Sequence, residues 1–327
     1  MFVEAIEKIL EDHCSPAEVR NVESGCGSPA PLWESVAEAG FLELLGSDEQ
    51  GGGGLTLAEL FPVIAAFGRH AMPLPFAQSI VARALLAPGG EVPAGMLTLG
   101  AGCRRIDGRI VCPMVPFGVV ADYVLVDEGD SLLVLPCAAA QRTPTGVSRS
   151  LVATLSWAEA TPHARLAAQG VHVQPFSAAI HAALISGALH RVLEMTLQYA
   201  NDRSQFGKSI GKFQAIQHQI SVMAENVAAA SMAAEAAFQG EASQPALLPS
   251  GMAKARASEA AVQAAAIAHA VHGAIGVTEE YDLQLYTRRL HEWRMAHGSE
   301  DYWNLIVGRL ALAHPHPTIT DFVRLGG

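Results

Sequence analysis

A chain of 327 residues that is 50% hydrophobic and only 16% charged must bury most of its length or pair it with another chain, and it is long enough for two or three packed units. Its formal charge of −11, with no run of lysine and arginine to interrupt the acidic balance, argues against a nucleic-acid partner. The five cysteines (Cys14, Cys26, Cys103, Cys112 and Cys137) are odd in number and scattered without metal spacing, which suits a reducing, cytoplasmic setting.

The N-terminal stretch MFVEAIEKILEDH is amphipathic and acidic, unlike a signal peptide, and places Phe2, Ile6 and Ile9 on one helical face. No apolar run reaches about 18 residues without a polar interruption, so no membrane span is expected. A glycine cluster, Gly51 to Gly54, precedes the buried helix LAELFPVIAAFG, with Thr56 placed to cap its start. Residues 1–90 thus read as an N-terminal helical domain. Residues 91–168 read as a small antiparallel β-domain. RRIDGRIVC offers two short runs around Asp107-Gly108, and DYVLVDEGDSLLVLP repeats the device around Glu128-Gly129-Asp130. Residues 169–327 return to helix. Three long, alanine-rich stretches, SAAIHAALISGALHRVLEMTLQYAN, FQAIQHQISVMAENVAAASMAAEAAF and MAKARASEAAVQAAAIAHAVHG, precede SEDYWNLIVGRLALAH, which has Ser299 at its N-cap. Small residues at this density allow close backbone approach, as in a four-helix bundle. The fold class is mostly α with a small β-domain.

Between the first two long helices lies RSQFGKSIGKFQAIQ, Arg203 to Gln217. Its Gly207-Lys208-Ser209 suggests a phosphate loop, but such a loop needs a glycine where Asp202 stands, and a carboxylate there would repel a phosphate. Arg203 brings a permanent charge with a forked donor set, Phe206 an apolar face, and Gln214 a donor and an acceptor. The plainer reading pairs Arg203 with Asp202 or Glu225 and buries Phe206. His269 and His272 share a helical face and His314 and His316 form a close pair, with no third metal ligand in evidence. Glu279 and Glu280 are placed to pair Arg288 or Arg289, or to stay solvated.

The order helical, β, helical bundle, together with four motifs, resembles the acyl-CoA dehydrogenase family of flavoproteins. The motifs are the segment Leu32 to Arg69 with its glycine turn, RSQFGKSIGKFQAIQ, AKARASEAA followed by AVHGAIGVTEEY, and HGSEDYWNLIVGR. The resemblance implies FAD as cofactor, with Arg203 near the pyrophosphate of a neighbouring subunit's flavin, Phe206 against that flavin, Gln214 assisting at the adenine, and Ile210 as the pattern's isoleucine. It also implies that Gly273 and Gly276 approach the adenosine half. Two departures stand here: Ala270 replaces the family's usual glutamine, and Ala274 the second glycine of its pair.

Family chemistry removes an α-proton from an acyl-CoA thioester while a β-hydride passes to the flavin, and so needs a buried carboxylate. Counted back from Arg309, the family's glutamate position falls on His297, and the alternative position used by some members falls on Ser177; Glu194 lies far along that helix. Neither position holds a carboxylate. The segment between Pro88 and Arg104 also lacks the family's Gly-Ser-Asp ring cover. The resemblance therefore points to the short chains of α2β2 heterotetrameric, steroid-degradation-type acyl-CoA dehydrogenases, with a second dehydrogenase-like chain supplying the carboxylate. Two alternatives stay open: a self-sufficient enzyme with a relocated base at His297, Glu300 or Asp301, and a non-catalytic subunit that stabilises a partner.

Overall fold

The computed structural model describes residues 2–47, 51–89, 92–158, 162–240, 243–313, 318 and 320–322. His314 and His316 lie outside the described residues.

Five helices form the N-terminal part: α1 (Phe2–His13), α2 (Pro16–Ser24), α3 (Ala30–Glu38), α4 (Leu57–Arg69) and α5 (Phe76–Leu86). Thr56 caps α4 through a full capping box, its hydroxyl accepting from the Glu59 amide while the Glu59 carboxylate accepts from the Thr56 amide. In α1 the buried face runs through Ile6 and Leu10, and Phe2 points outward, because the helix lays its second and third turns on the core and leaves its first turn at the rim.

Eight strands follow in two four-stranded sheets. One has the order β1 (Leu97–Gly100), β4 (Tyr123–Asp127), β5 (Ser131–Pro136), β8 (Ala164–Ala167). The other has β2 (Arg104–Ile106), β3 (Arg109–Val115), β7 (Ala153–Trp157), β6 (Gln141–Pro144). Both expected hairpins form, at Asp107-Gly108 with positive φ at each residue and at Glu128 to Asp130. The expectation of a wholly antiparallel domain needs one correction: β1 and β4 are parallel. β1 is pinned beside α5, where the Ser79 hydroxyl bridges the Leu97 amide and carbonyl, and the chain returns in the same direction after crossing through the other sheet. Alternation along β4 and β5 divides their side chains. Leu125, Leu132 and Val134 join the helical core, while Val124, Val126, Leu133 and Leu135 face Ile110, Cys112, Leu155 and Trp157 of the second sheet. The cysteines, scattered by spacing, include one cross-strand pair: continuing the β2–β3 register one residue sets Cys103 opposite Cys112, and the two are joined in a disulfide.

The C-terminal part holds α6 (Val173–Asp202), α7 (Gln214–Ala236), α8 (Leu247–His272), α9 (Leu283–Met295) and α10 (Glu300–Ala313). By length and apolarity alone α6 and α8 are each long enough to cross a bilayer, contrary to the sequence expectation. Most of the apolar stretch of α6 is buried inside the bundle. α9 is a fifth helix that the alanine-rich pattern does not announce. It joins the N-terminal part through charge: Glu23 of α2, almost fully buried, accepts from Arg288 and Arg289, and Arg289 also pairs with Glu292. Glu279 pairs instead with Arg149.

α4 and α6 cross with no side chain between them. A Cβ at Gly187 would fall 1.8 Å from the Ala65 carbonyl oxygen, and one at Gly68 2.0 Å from that of Leu184. Gly187→Ala should therefore cost about 3 kcal/mol or more in a urea unfolding titration. Gly308→Ala, at a helical position with open space around it, should instead gain about 0.5–1 kcal/mol. Equal effects at the two positions would remove the close crossing as the cause.

Candidate active site

The loop between α9 and α10, Ala296 to Ser299, carries His297 and is held from three sides. Lys254 of α8 is fully buried and its Nζ donates to the carbonyls of Arg294 (2.7 Å) and Gly298 (2.9 Å) and to the Ser258 hydroxyl (3.0 Å). The Trp303 indole donates to the His297 carbonyl at 3.1 Å. Arg294 and Glu300 close the loop with a two-point ion pair. These constraints hold His297 at φ +54° and Gly298 at φ +109°. A bulky residue rarely adopts positive φ, and here three fixed carbonyl directions impose it.

The His297 ring turns inward, edge-on to His181 of α6 at 5.2 Å between centroids, and hydrogen bonds to the backbone of Ala101 in the loop after β1. His181 Nδ1–H donates to the Ser177 carbonyl at 2.7 Å. Around the two rings, His297 Nε2, His181 Nε2, Ser177 Oγ and Ser250 Oγ are buried without a partner within the protein. A buried polar atom without a hydrogen bond is costly, so four together mark a functional hollow rather than ordinary core. The sequence-derived positions His297 and Ser177 are thus brought to one place, and His181, Ser250 and Lys254 join them unforeseen. Their one signal in sequence is a lone histidine and a lone lysine inside otherwise apolar helices.

Burial sets the electrostatics. It lowers the His297 pKa to about 3, with the Lys254 charge adding to the effect and the Ala101 hydrogen bond opposing it. His181 is pushed well below 6.5 by burial, then by His297 and Lys254. Burial also brings Lys254 down to about 7, against the pull of Glu300. Hydrogen bonding to Arg294 holds Glu300 below its usual range. A neutral imidazole this acidic when protonated is a weak base at neutral pH, and a carboxylate already paired with arginine is a weak one too. Asp301 is exposed on the first turn of α10. Glu194 is engaged with Arg69 through two hydrogen bonds, far along α6. Among the described residues, no unpaired carboxylate joins the His181–His297 cluster.

A separate cavity of about 610 Å3 has walls that include Leu45, Val81, Leu85, Leu132 and Phe176. It shares no lining residue with the cluster, since Phe176 faces away from its neighbour Ser177 around the α6 axis. The chemistry, not the larger space, locates the site.

At the far end of α6 the chain makes a two-residue hairpin, β9 (Ser204–Gln205) and β10 (Lys208–Ser209), with Phe206 and Gly207 at its tip, both at positive φ. Phe206 is 91% exposed rather than buried, supported by an edge contact with Phe213. Arg203 is exposed and has no carboxylate partner among the described residues, and Gln214 is exposed at the start of α7. Ile210 differs: it is buried with Ala200, Ile220 and Val271 and anchors the hairpin. Gly273 ends α8 at positive φ and is exposed, whereas a Cβ at Gly276 would press on His272 and Leu283 at 3.0–3.1 Å, which makes it a packing glycine. His272 stacks on Tyr199 and His269 bonds Thr287.

Residues 1–91 match the model of the acyl-CoA dehydrogenase N-terminal domain, and residues 175–312 that of the acyl-CoA dehydrogenase C-terminal domain. The acyl-CoA dehydrogenase IpdE2 of Mycolicibacterium smegmatis is 31% identical over 293 residues, 88% of this chain and 90% of that protein. The chain belongs to the acyl-CoA dehydrogenase family. Its fold is shared with a chain of the ChsE4-ChsE5 complex from Mycobacterium tuberculosis (TM-score 0.83, 22% identity, 96% of this chain and 97% of that one). It is shared also with the steroid ACAD Tcur3481-Tcur3483 (TM-score 0.79, 23% identity, 94% and 96%).

The neutral histidines have a consequence for stability. The unfolded chain protonates His297 and His181 near pH 6.5, while the folded chain holds them neutral far below it. Stability is therefore full above pH 6.5 and falls as the pH drops below it, by about 1.4 kcal/mol per pH unit for each ring. Urea titrations at pH 7 and pH 5 should show His297→Gln losing ~2 kcal/mol less than the wild type across that interval. Equal losses would mean that the ring is not held neutral.

Proposed function

We propose that this chain is an FAD-associated acyl-CoA dehydrogenase subunit that works in a composite site with a second, dehydrogenase-like chain, the partner supplying the catalytic carboxylate. The observation that carries the reading is the pairing of two features: a site position occupied by a neutral, buried histidine, and an exposed Arg203–Phe206 hairpin that has nothing to contact within its own chain. The fold match to the ChsE4-ChsE5 complex, a complex of two named chains, favours a mixed oligomer.

The residues fit a flavin contacted from outside. Arg203 offers a guanidinium fork free to meet a pyrophosphate, Phe206 an apolar face, and Gln214 a donor and an acceptor within reach of the same surface. Gly276 does not fit, because its Cα is packed against its own chain. Bound flavin supplies the hydride acceptor for α,β-dehydrogenation of an acyl-CoA, here one with a bulky, steroid-like acyl group. What this chain does is hold a charge and an aromatic face on a rigid hairpin, while its own His297 cluster stays neutral and closed against Ala101.

The self-sufficient reading, with His297 or Glu300 as base, is disfavoured by the low basicity that burial and Arg294 impose. In the complex purified with its partner, Arg203→Ala and Phe206→Ala should each lower the flavin absorbance per complex while leaving its size on gel filtration unchanged. Full flavin retention in both would reject the shared site. His297→Gln should leave turnover of the complex within about threefold, whereas loss of an essential base costs about 10²–10⁴-fold.

A further inference from the structure

We propose that Cys103 and Cys112 form a reversible redox modification site whose oxidation state sets the exposure of His297. The proposal stands independently of the shared-site reading. Cys112 is fully buried on β3 among Ile110, Val126 and Trp157, and Cys103 is partly exposed at the wall of a surface hollow of about 400 Å3 lined also by Arg104 and Arg105. One sulfur is thus open to a small reagent, beside guanidinium groups that favour its thiolate, and the other is held ready behind it. The remaining cysteines have no such arrangement. Cys14 and Cys137 are buried thiols whose pKa burial pushes to about 12, and Cys26 is alone.

The link to His297 is short. Cys103 closes the loop Gly100–Cys103, and Ala101, two residues before it, is the backbone partner of the His297 ring. Ala101 has a glycine on either side, Gly102 at φ +77°, so the backbone here is loosely constrained by its own sequence. The disulfide ties this loop to β3 and presses it onto the ring. Cutting the bond leaves Ala101 between two glycines with a single anchor.

The chemistry balances as thiol–disulfide exchange. The Cys103 thiolate attacks a low-molecular-weight disulfide and expels one small thiol, and the Cys112 thiol then displaces the second. The two protein thiols lose two electrons and two protons, which reduce the small disulfide to two thiols. A small dithiol reverses the step. Under reducing conditions the pair is a dithiol, and it closes when the small-disulfide fraction rises.

The full chain would be equilibrated with either oxidised glutathione or dithiothreitol, and digested with trypsin, which cuts between the two cysteines at Arg104, Arg105 and Arg109. Mass spectrometry should find a Cys103–Cys112 linked peptide in the first sample and not in the second. Diethyl pyrocarbonate labelling, with exposed His13 as internal reference, should modify His297 about tenfold faster in the reduced chain, the change expected from opening one local contact. Cys103→Ser, at the partly exposed position, should label at the fast rate under both conditions. No linked peptide after oxidation, or one His297 rate across reduced, oxidised and variant chains, overturns the proposal.

Discussion

Backbone meets backbone where α4 crosses α6, and the rest of the molecule is arranged around that contact. Gly68 and Gly187 remove the side chains that would hold the two helices apart, so the N-terminal helices sit directly on the bundle. α6 is buried along its first half and carries Ser177 and His181 there. Its position fixes half of the candidate site before any site residue makes a contact. The buried Glu23 network does the same for α9, whose C-terminal end leads into the His297 loop. A site made from elements so distant in sequence depends on these two junctions more than on any local motif.

The electrostatics of the site follow from burial without a counter-charge. Lys254, His181 and His297 are enclosed together, and the nearby carboxylate, Glu300, is already committed to Arg294. The low-cost state of such a group is neutral, and two imidazoles and an ammonium all shift in that direction. Hydrogen bonds of Lys254 to two loop carbonyls then give the lysine a positioning role in which its charge matters less than its donors. The cluster remains shaped like a site, with four unpaired polar atoms, while lacking a group able to take a proton at neutral pH.

Sequence reading gave the order of domains, the capping box at Thr56, both hairpin turns and the importance of Arg203 and Phe206 as a unit, because each rests on local chemistry or on contiguous residues. It gave His297 and Ser177 as counterpart positions without their environment. What it missed is long-range. Glu23 meets Arg288 across 265 residues, Lys254 meets Arg294 across 40, and Cys103 meets Cys112 only once the strand register is set. α9 escaped because LQLYTRRLHEWRM is polar enough to look like surface, yet Arg289 in it is buried by its ion pairs. The parallel β1–β4 pair escaped because neither strand carries a mark of its neighbour's direction.

The Phe206 hairpin has a bearing on how paralogous chains sort themselves. A two-residue turn sets its tip by backbone geometry, so the phenyl keeps its position without a surrounding shell, and little conformational freedom is lost when it docks. A chain that receives this tip must offer a hollow of matching shape and an acceptor for Arg203. A cell with many related chains of one fold would then keep its assemblies distinct by steric fit at a single projecting ring, and drift in that hollow would have to be matched by drift in the hairpin.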